Sequence, residues 1–468
     1  MTAPHSSPSD FRSKLSTLTV WHTAIFATAT AWLFGGNIYW ARVPLSCWGT
    51  LAIGLTAAGF FHRIRGSGSV IKPLIWLIPG LALIALIIIS ALNPSFEVRT
   101  YFDTKVFRPI EPVKWLPSSA IPGRSLRELW LYSGLYLTGF NVALNVSSLR
   151  QLRTLIIVLA LNATVIAIMG TLQSLLGLDL FFGLVESPNP AFFGSFIYHN
   201  HWGAYATLSL SLWLGASVWL ARQDDGRGIT HSPALVALLA AGFIVVAVPL
   251  STSRSSTVMV SAFIIIASIT EGIRIQRNAH RRKVSSRFRL IALTSGVVIT
   301  LTATFVLAAP TIARRIATTQ SQLSEMRAIG SIGERATLYN ETWELFKKKP
   351  YTGWGFETWE MVFRRNTNLT HRGDKLPIRY QEAHSDWLQS LSEVGGLGTG
   401  LLLAMVLIPL WSSRHQLIVE RTSLYLLAGV TLISLYAWIE FPLANPAVAL
   451  TFWITFFASV RYARISRS

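Results

Sequence analysis

The sequence predicts an all-α integral membrane protein of about 12 transmembrane helices, with a large, partly helical extracytoplasmic loop between spans 9 and 10. Three observations predict it. Hydrophobic residues fill 51% of the 468 positions and charged residues only 13%, more apolar surface than a soluble core can bury. The apolar positions gather into twelve runs that contain no Lys or Arg, most of them long enough to cross hydrocarbon. The basic residues between those runs are divided unequally between the two sides that the runs separate. The composition excludes a disordered chain, and 17 Trp and 25 Phe in a charge-poor sequence suit lipid interfaces. A formal charge of +19 would point to nucleic acid in a soluble protein. Here its placement points instead to topology or to anionic lipid and phosphate ligands, and no nucleic-acid partner is expected. The single Cys47 lies in an apolar run, so there is no disulfide framework or thiol metal site, and the redox compartment is not readable from it.

The first run, 19–36, follows Arg12 and Lys14 and is too long for a secretory signal core, so it reads as an uncleaved anchor. Runs at 44–61, 73–92, 129–146, 154–178, 202–221, 233–250, 255–273 and 290–310 follow it, and after a long gap come 387–411, 423–440 and 447–460. With the N terminus placed inside, the seven inside segments carry 21 Lys and Arg, against two in the four short outside connections. That bias fits the positive-inside rule and places both termini in the cytoplasm. The densest stretch, RIQRNAHRRKVSSRFR from Arg274 to Arg289, also has a nucleic-acid or calmodulin-target pattern, but topology already accounts for it. Eighteen further basic residues lie in two outside segments, about 93–128 and 311–386, which are long enough to escape the rule. The chain therefore divides into spans 1–9 with their outer loop (1–310), an extracytoplasmic loop domain (311–386) and spans 10–12 (387–468). There is no internal repeat, low-complexity tract, Rossmann motif or P-loop. GGLGTG at Gly395–Gly400 follows no strand and reads as close helix packing in the membrane.

Function is expected in the two outer segments. In 93–128, Pro94, Pro109, Pro112, Pro117 and Pro122 are too closely spaced for a long helix, predicting an extended, aromatic-bearing structural loop over the membrane surface. In the second segment a helix is expected from about Gly333 to Lys348. Leu338, Trp343, Leu345 and Phe346 give it an apolar stripe, and Glu334, Glu341 and Glu344 precede Lys347, Lys348 and Lys349 in a dipole-favourable order. It breaks at Pro350 and turns through YTGWG, and after the basic stretch FRRNTNLTHRGDKLPIRYQEAH the next span begins near Asp386.

Arg254, in STSRSS between spans 7 and 8, must lie at the membrane boundary, where a charge needs either a partner or a route to the headgroups. Arg335 opens the 333–348 helix. A cation is unfavourable at a helix N terminus, which suggests an anion shared with the free N–H groups or a pairing with Glu334 or Glu341. His384 is the outer residue best suited to proton transfer near neutral pH, with Glu382 and Asp386 placed to orient its ring. His199 and His201 in SFIYHNHWGAY lack a third evident ligand and make a weak metal signal, while Asn200 either bonds a sugar or holds the loop. No close pair of intramembrane carboxylates appears, and Glu440, at the outer end of span 11, is the nearest exception.

Four stretches resemble the bacterial O-antigen ligase and O-antigen polymerase superfamily: FGSFIYHNHWGAYATL (193–208), LSTSRSSTVMVSAF (250–263), GERATLYNETWELFKKKPYTGWGFETW (333–359) and EAHSDWLQSLSEVGGLGTGLLL (382–403). The third and fourth are the most specific. The resemblance implies about twelve spans, a large extracytoplasmic loop late in the chain, and transfer of a glycan from an undecaprenyl pyrophosphate carrier to a glycan, lipid A-core or protein acceptor. It implies that Arg254 and Arg335 bind pyrophosphate and that His384 is the base. The N-terminal third carries no recognisable motif of the family.

The chemistry agrees. An anomeric carbon linked to pyrophosphate is already activated, so the protein needs cations on the leaving group and a base for the incoming hydroxyl, and arginine forks suit phosphate oxygens. No cofactor and no metal is expected, and inversion at the anomeric carbon is. The paired carboxylates of a glycosidase are absent from the pattern. A transporter or flippase is the competing class. It predicts charged or broken helices at the bilayer midplane, whereas these candidates gather at the outer boundary.

Overall fold

Backbone groups in hydrocarbon must be satisfied within their own segment, and each apolar run accordingly lies mainly on helix. The computed structural model describes residues 8–66, 69–102, 104–189, 191–221, 232–282, 286–329, 334–367 and 380–466. Its long helices are α1 (Pro8–Trp32), α2 (Tyr39–Gly49) continued by α3 (Leu51–Arg65), α4 (Ile71–Leu92), α5 (Pro122–Asn145), α6 (Leu149–Leu176), α7 (His199–Leu220), α8 (Pro233–Leu250), α9 (Arg254–Arg282) and α10 (Arg287–Ile329). After α11 (Glu334–Lys348) and α12 (Trp359–Asn366) come α13 (Asp386–Val419), α14 (Arg421–Tyr436) and α15 (Pro446–Ile465).

Among the described residues nine helical segments are long and apolar enough to cross a membrane, with α2 and α3 acting as one. Of the twelve expected spans, those on α1, α5 and α14 fall short, for physical reasons. α14 has only 16 residues. α1 and α5 are diluted by buried polar groups, Thr19, Thr23 and Thr30 in one, Glu128, Asn141 and Asn145 in the other. The same logic orders the bundle. An 18-residue stretch of α7 and one of α15 have the lowest mean hydropathy of the nine, 1.2, yet 89% of each stretch is buried, whereas the stretch of α10 within Arg287–Leu307 reaches 2.2 with 6% buried. Lipid solvates an apolar helix as well as a protein core does, so central places go to helices that pack and satisfy polar groups internally. On α7 the hydroxyls of Thr207, Ser209 and Ser211 all donate to carbonyls of their own helix.

Several boundaries differ from expectation. α5 begins at Pro122 rather than near 129, and the backbone of α10 continues past 310 to Ile329. The basic stretch after the YTGWG turn starts as α12, and its residues 368–379 lie outside the described residues, as does Gly333.

The 93–128 segment is more than a surface loop. Strands β1 (Phe96–Tyr101) and β2 (Thr104–Pro109) pair antiparallel, Phe96 opposite Pro109, and the segment packs onto α11 and α12. Phe96, Ala120, Leu338, Leu345, Trp359 and Phe363 form one apolar cluster, so the described parts of the two long connecting segments build a single cap over one end of the bundle. Within the expected stripe of α11, Leu338 and Leu345 are buried, while Trp343 is exposed.

Candidate active site

The cap is fastened by backbone to the start of α13. Trp354 N and Gly355 N donate to Ser392 O and Glu393 O, and Gly396 N and Leu397 N donate to Pro350 O and Tyr351 O. Gly395 interrupts α13 with φ 66°, a left-handed backbone that glycine adopts without steric cost, and this frees the groups for the exchange. The GGLGTG stretch therefore docks the YTGWG turn, correcting its reading as simple packing between spans, although Gly398 does face Leu86 of α4.

This docking aims the strap 380–385 at the end of α14. Ser385 caps α13 by accepting from Leu388 N, and Asp386 N and Trp387 N donate to Glu440 O and Ala437 O. His384, one residue earlier, is held at φ 53°, a left-handed backbone that histidine tolerates better than most residues. Its carbonyl accepts from the Tyr339 hydroxyl at 2.9 Å, and its ring stands edge-on to Phe441 at 4.9 Å. Strain of this kind persists where the surroundings over-determine it.

Glu440 is the carboxylate at this point. Its Oε2 lies 3.5 Å from His384 Nδ1, and its Oε1 accepts from Arg335 Nη2 at 2.5 Å. Glu440 is 2% exposed, and the Arg335 charge compensates its burial. Burial likewise acts against the Arg335 guanidinium, and Glu440 more than offsets it.

The side-chain partner of Arg335 is Glu440, 105 residues away, rather than the expected Glu334 or Glu341. The carboxylate beside the His384 ring is Glu440, whereas Asp386 Oδ2 accepts from Leu443 N and Glu382 Oε2 accepts from Gln389.

The other expected residues surround this centre. Ser253 and Ser255, which flank the exposed Arg254, bond Asn200 and Tyr436. Asn200 is engaged by the scaffold, donating to the Tyr198 hydroxyl and accepting from Ser253. His201 is buried with its ring edge-on to Tyr198 and Phe441, and His199 packs against Tyr198. Tyr198 stacks on Phe441 at 5.3 Å, so one phenylalanine gathers Tyr198, His201 and His384.

Beside the centre lies a polar cluster that sequence reasoning missed. Arg124 pairs with Glu360 at 3.1 Å and Glu357 at 3.7 Å, and Arg42 pairs with Glu128 at 2.6 Å. Glu393 accepts from the backbone N–H groups of Glu357 and Trp359 and from Gln389, which also holds Glu382. Burial, and then the charge of Glu357, pushes the Glu382 carboxyl up to about 8. The acids of this cluster come from four separate segments, so no spacing in the sequence announces them. The available signals were Arg42, the lone basic residue of its short connection, and Glu440, a carboxylate at the edge of an apolar run. Among the described residues no three His, Cys, Asp or Glu side chains are grouped to hold a metal ion.

The fold and this centre define a membrane-embedded protein with a histidine, a carboxylate and arginines at one end of its helical bundle. Residues 235–403 match the family model described as O-antigen ligase, which supports placing the chain in the O-antigen ligase superfamily and suggests a glycan transferase of ligase or polymerase type. The match takes in Arg254, Arg335, Glu382, His384 and Asp386, while Asn200, His199, His201 and Glu440 lie outside it. No curated protein matches the chain.

Proposed function

We propose that this protein moves a glycan from an undecaprenyl pyrophosphate carrier to an acceptor hydroxyl on the outer face of the bacterial inner membrane, in the manner of an O-antigen ligase. The observation that carries the reading is the Glu440 carboxylate shared by Arg335 and His384, with Arg254 on a neighbouring connection held through Asn200 and Tyr436.

In this reading Nδ1–H of His384 donates to Glu440, leaving Nε2 to take the proton of the acceptor hydroxyl. The acceptor oxygen attacks the anomeric carbon from the face opposite the pyrophosphate. The new C–O bond forms as the bond to the carrier phosphate breaks, and the configuration inverts. Negative charge grows on the departing pyrophosphate, where Arg254 and Arg335 meet it with bidentate forks. Glu440 steadies the imidazolium that results, so the proton and the leaving group separate onto different residues. Two arginines supply the positive charge that a divalent metal would otherwise bring, and the reaction is read as metal-independent. Glu382, Asp386 and Asn200 position the strap and the neighbouring connection.

The test is transfer from a lipid-linked donor by protein reconstituted in liposomes. His384→Ala is expected to lower the rate about 10²–10⁴-fold at unchanged membrane abundance. A well-folded His384→Ala protein with wild-type turnover would remove the base assignment. Glycan analysis of a deletion strain separates the acceptors: loss of all polymer attachment marks a ligase, and single-repeat products mark a polymerase.

A further inference from the structure

At the end of the bundle remote from the candidate active site, basic side chains from four helices converge. Arg12 of α1, Arg63 of α3, Lys72 of α4, and Arg461 and Arg464 of α15 line two adjoining cavities of about 150 and about 80 Å³, which share Arg63, Leu144 and Arg461. The larger is about ten times the roughly 10–15 Å³ that admits one water. No acidic residue lines either cavity, and among the described residues no ion pair engages any of the five.

Part of this charge has a structural use. Arg63 Nη2 donates to Leu144 O at 2.8 Å and Arg461 Nε donates to Val146 O at 2.6 Å, which closes the C-terminal end of α5. A helix C terminus supplies about half a negative charge, whereas five cations surround the space. Among the described residues the contact of Arg464 is the face of Trp76, 5.1 Å away. The positive-inside rule explains why basic residues stand on this side, but not why residues 12, 63, 72, 461 and 464 turn into one space between helices.

We propose that these cavities are a binding site for a phosphate-bearing anion, either the headgroup of an anionic bilayer lipid or a free phosphorylated solute. Phosphate oxygens match several arginine forks at once, and helix ends at this depth meet the headgroup layer. The proposal does not depend on the transfer reaction at the other end.

The test uses the full-length protein in a phosphate-free maltoside detergent, titrated in separate arms with short-chain phosphatidylglycerol and with inorganic phosphate. Bound phosphorus is followed by native mass spectrometry and by thermal stabilisation. Saturable binding in either arm is expected, weakened about tenfold or more in the Lys72→Gln/Arg464→Gln double variant, which leaves the two α5 contacts intact. Binding of the lipid alone assigns the site to a headgroup, and binding of both assigns it to the phosphate group itself. Failure to saturate in both arms overturns the proposal, as does undiminished binding by a folded double variant. Arg461→Lys, which keeps the charge, is expected to bind more strongly than Arg461→Gln, and equal binding by those two folded variants also overturns it.

Discussion

A carboxylate left 2% exposed must be compensated, and Glu440 takes its partners from two distant parts of the chain, Arg335 and His384. If the three act as a unit, removing one disables the others. Glu440→Gln is therefore expected to lower transfer about 10²-fold or more, and the Glu440→Gln/His384→Ala double variant to be little worse than His384→Ala alone. Additive losses in the double variant would show that Glu440 acts independently of the histidine. Arg254 allows a sharper test of charge against geometry. Arg254→Lys is expected to fail nearly as badly as Arg254→Ala, because an ammonium keeps the charge and loses the fork, and full activity in the Lys variant would reduce the residue to a simple cation. Glu382 makes stability depend on pH in a fixed direction. Its folded-state value is raised to about 8, so the folded protein holds this proton more tightly than the unfolded chain does. The contribution is complete below the ordinary carboxylate range and is lost as pH rises towards about 8. Glu382→Gln, which mimics the protonated form, is expected to flatten the dependence of Tm over that window and to raise Tm at its upper end by about 2–5 °C. A Tm profile parallel to wild type would show that burial and Glu357 do not govern this carboxyl.

At the scale of elements, the centre depends on how the YTGWG turn meets the break in α13. A Cβ at Gly395 would stand 2.3 Å from the Tyr351 carbonyl carbon, and one at Gly355 would stand 2.5 Å from Ser119 Oγ, each at a positive φ. Gly400, five residues beyond Gly395, has nothing within 4 Å. Gly395→Ala is expected to cost about 2 kcal/mol or more and to lower the yield of folded protein, while Gly400→Ala is neutral or slightly stabilising by size-exclusion yield and Tm. Equal behaviour of the two would mean that the turn does not need this close approach. The contrast also marks how far the sequence could be read. GGLGTG announces small residues, but only the partner surface tells a docking glycine from an idle one. Hydropathy located the helices because lipid imposes it locally. It missed the true start of α5, where Arg124 and Glu128 are neutralised by Glu360, Glu357 and Arg42 from remote segments. Arg335 and His384 were legible as chemically apt residues at an outer boundary. Their meeting on Glu440 was not, since a contact spanning 105 residues leaves no periodicity.

For the whole molecule, charge is sorted to the two ends of a bundle whose middle helices α7 and α15 carry buried aromatic, aliphatic and hydroxyl side chains. The capped end mixes arginines with carboxylates, and those carboxylates are already engaged. Glu128 takes Arg42, Glu360 takes Arg124, Glu393 takes two backbone N–H groups, and Asp386 takes Leu443 N. A divalent ion would have to displace these partners, and in doing so loosen the docking of cap to bundle that holds His384. In the proposed reaction Arg254 and Arg335 meet the leaving group without that disruption. Transfer by purified protein in excess EDTA is therefore expected to keep its rate and its Tm. If chelation abolishes activity and magnesium or manganese restores it, the arginines alone do not stabilise the leaving group. Glu382 and Asp386 would then be the first ligands to test by substitution, with Glu357 next because its charge already bears on Glu382.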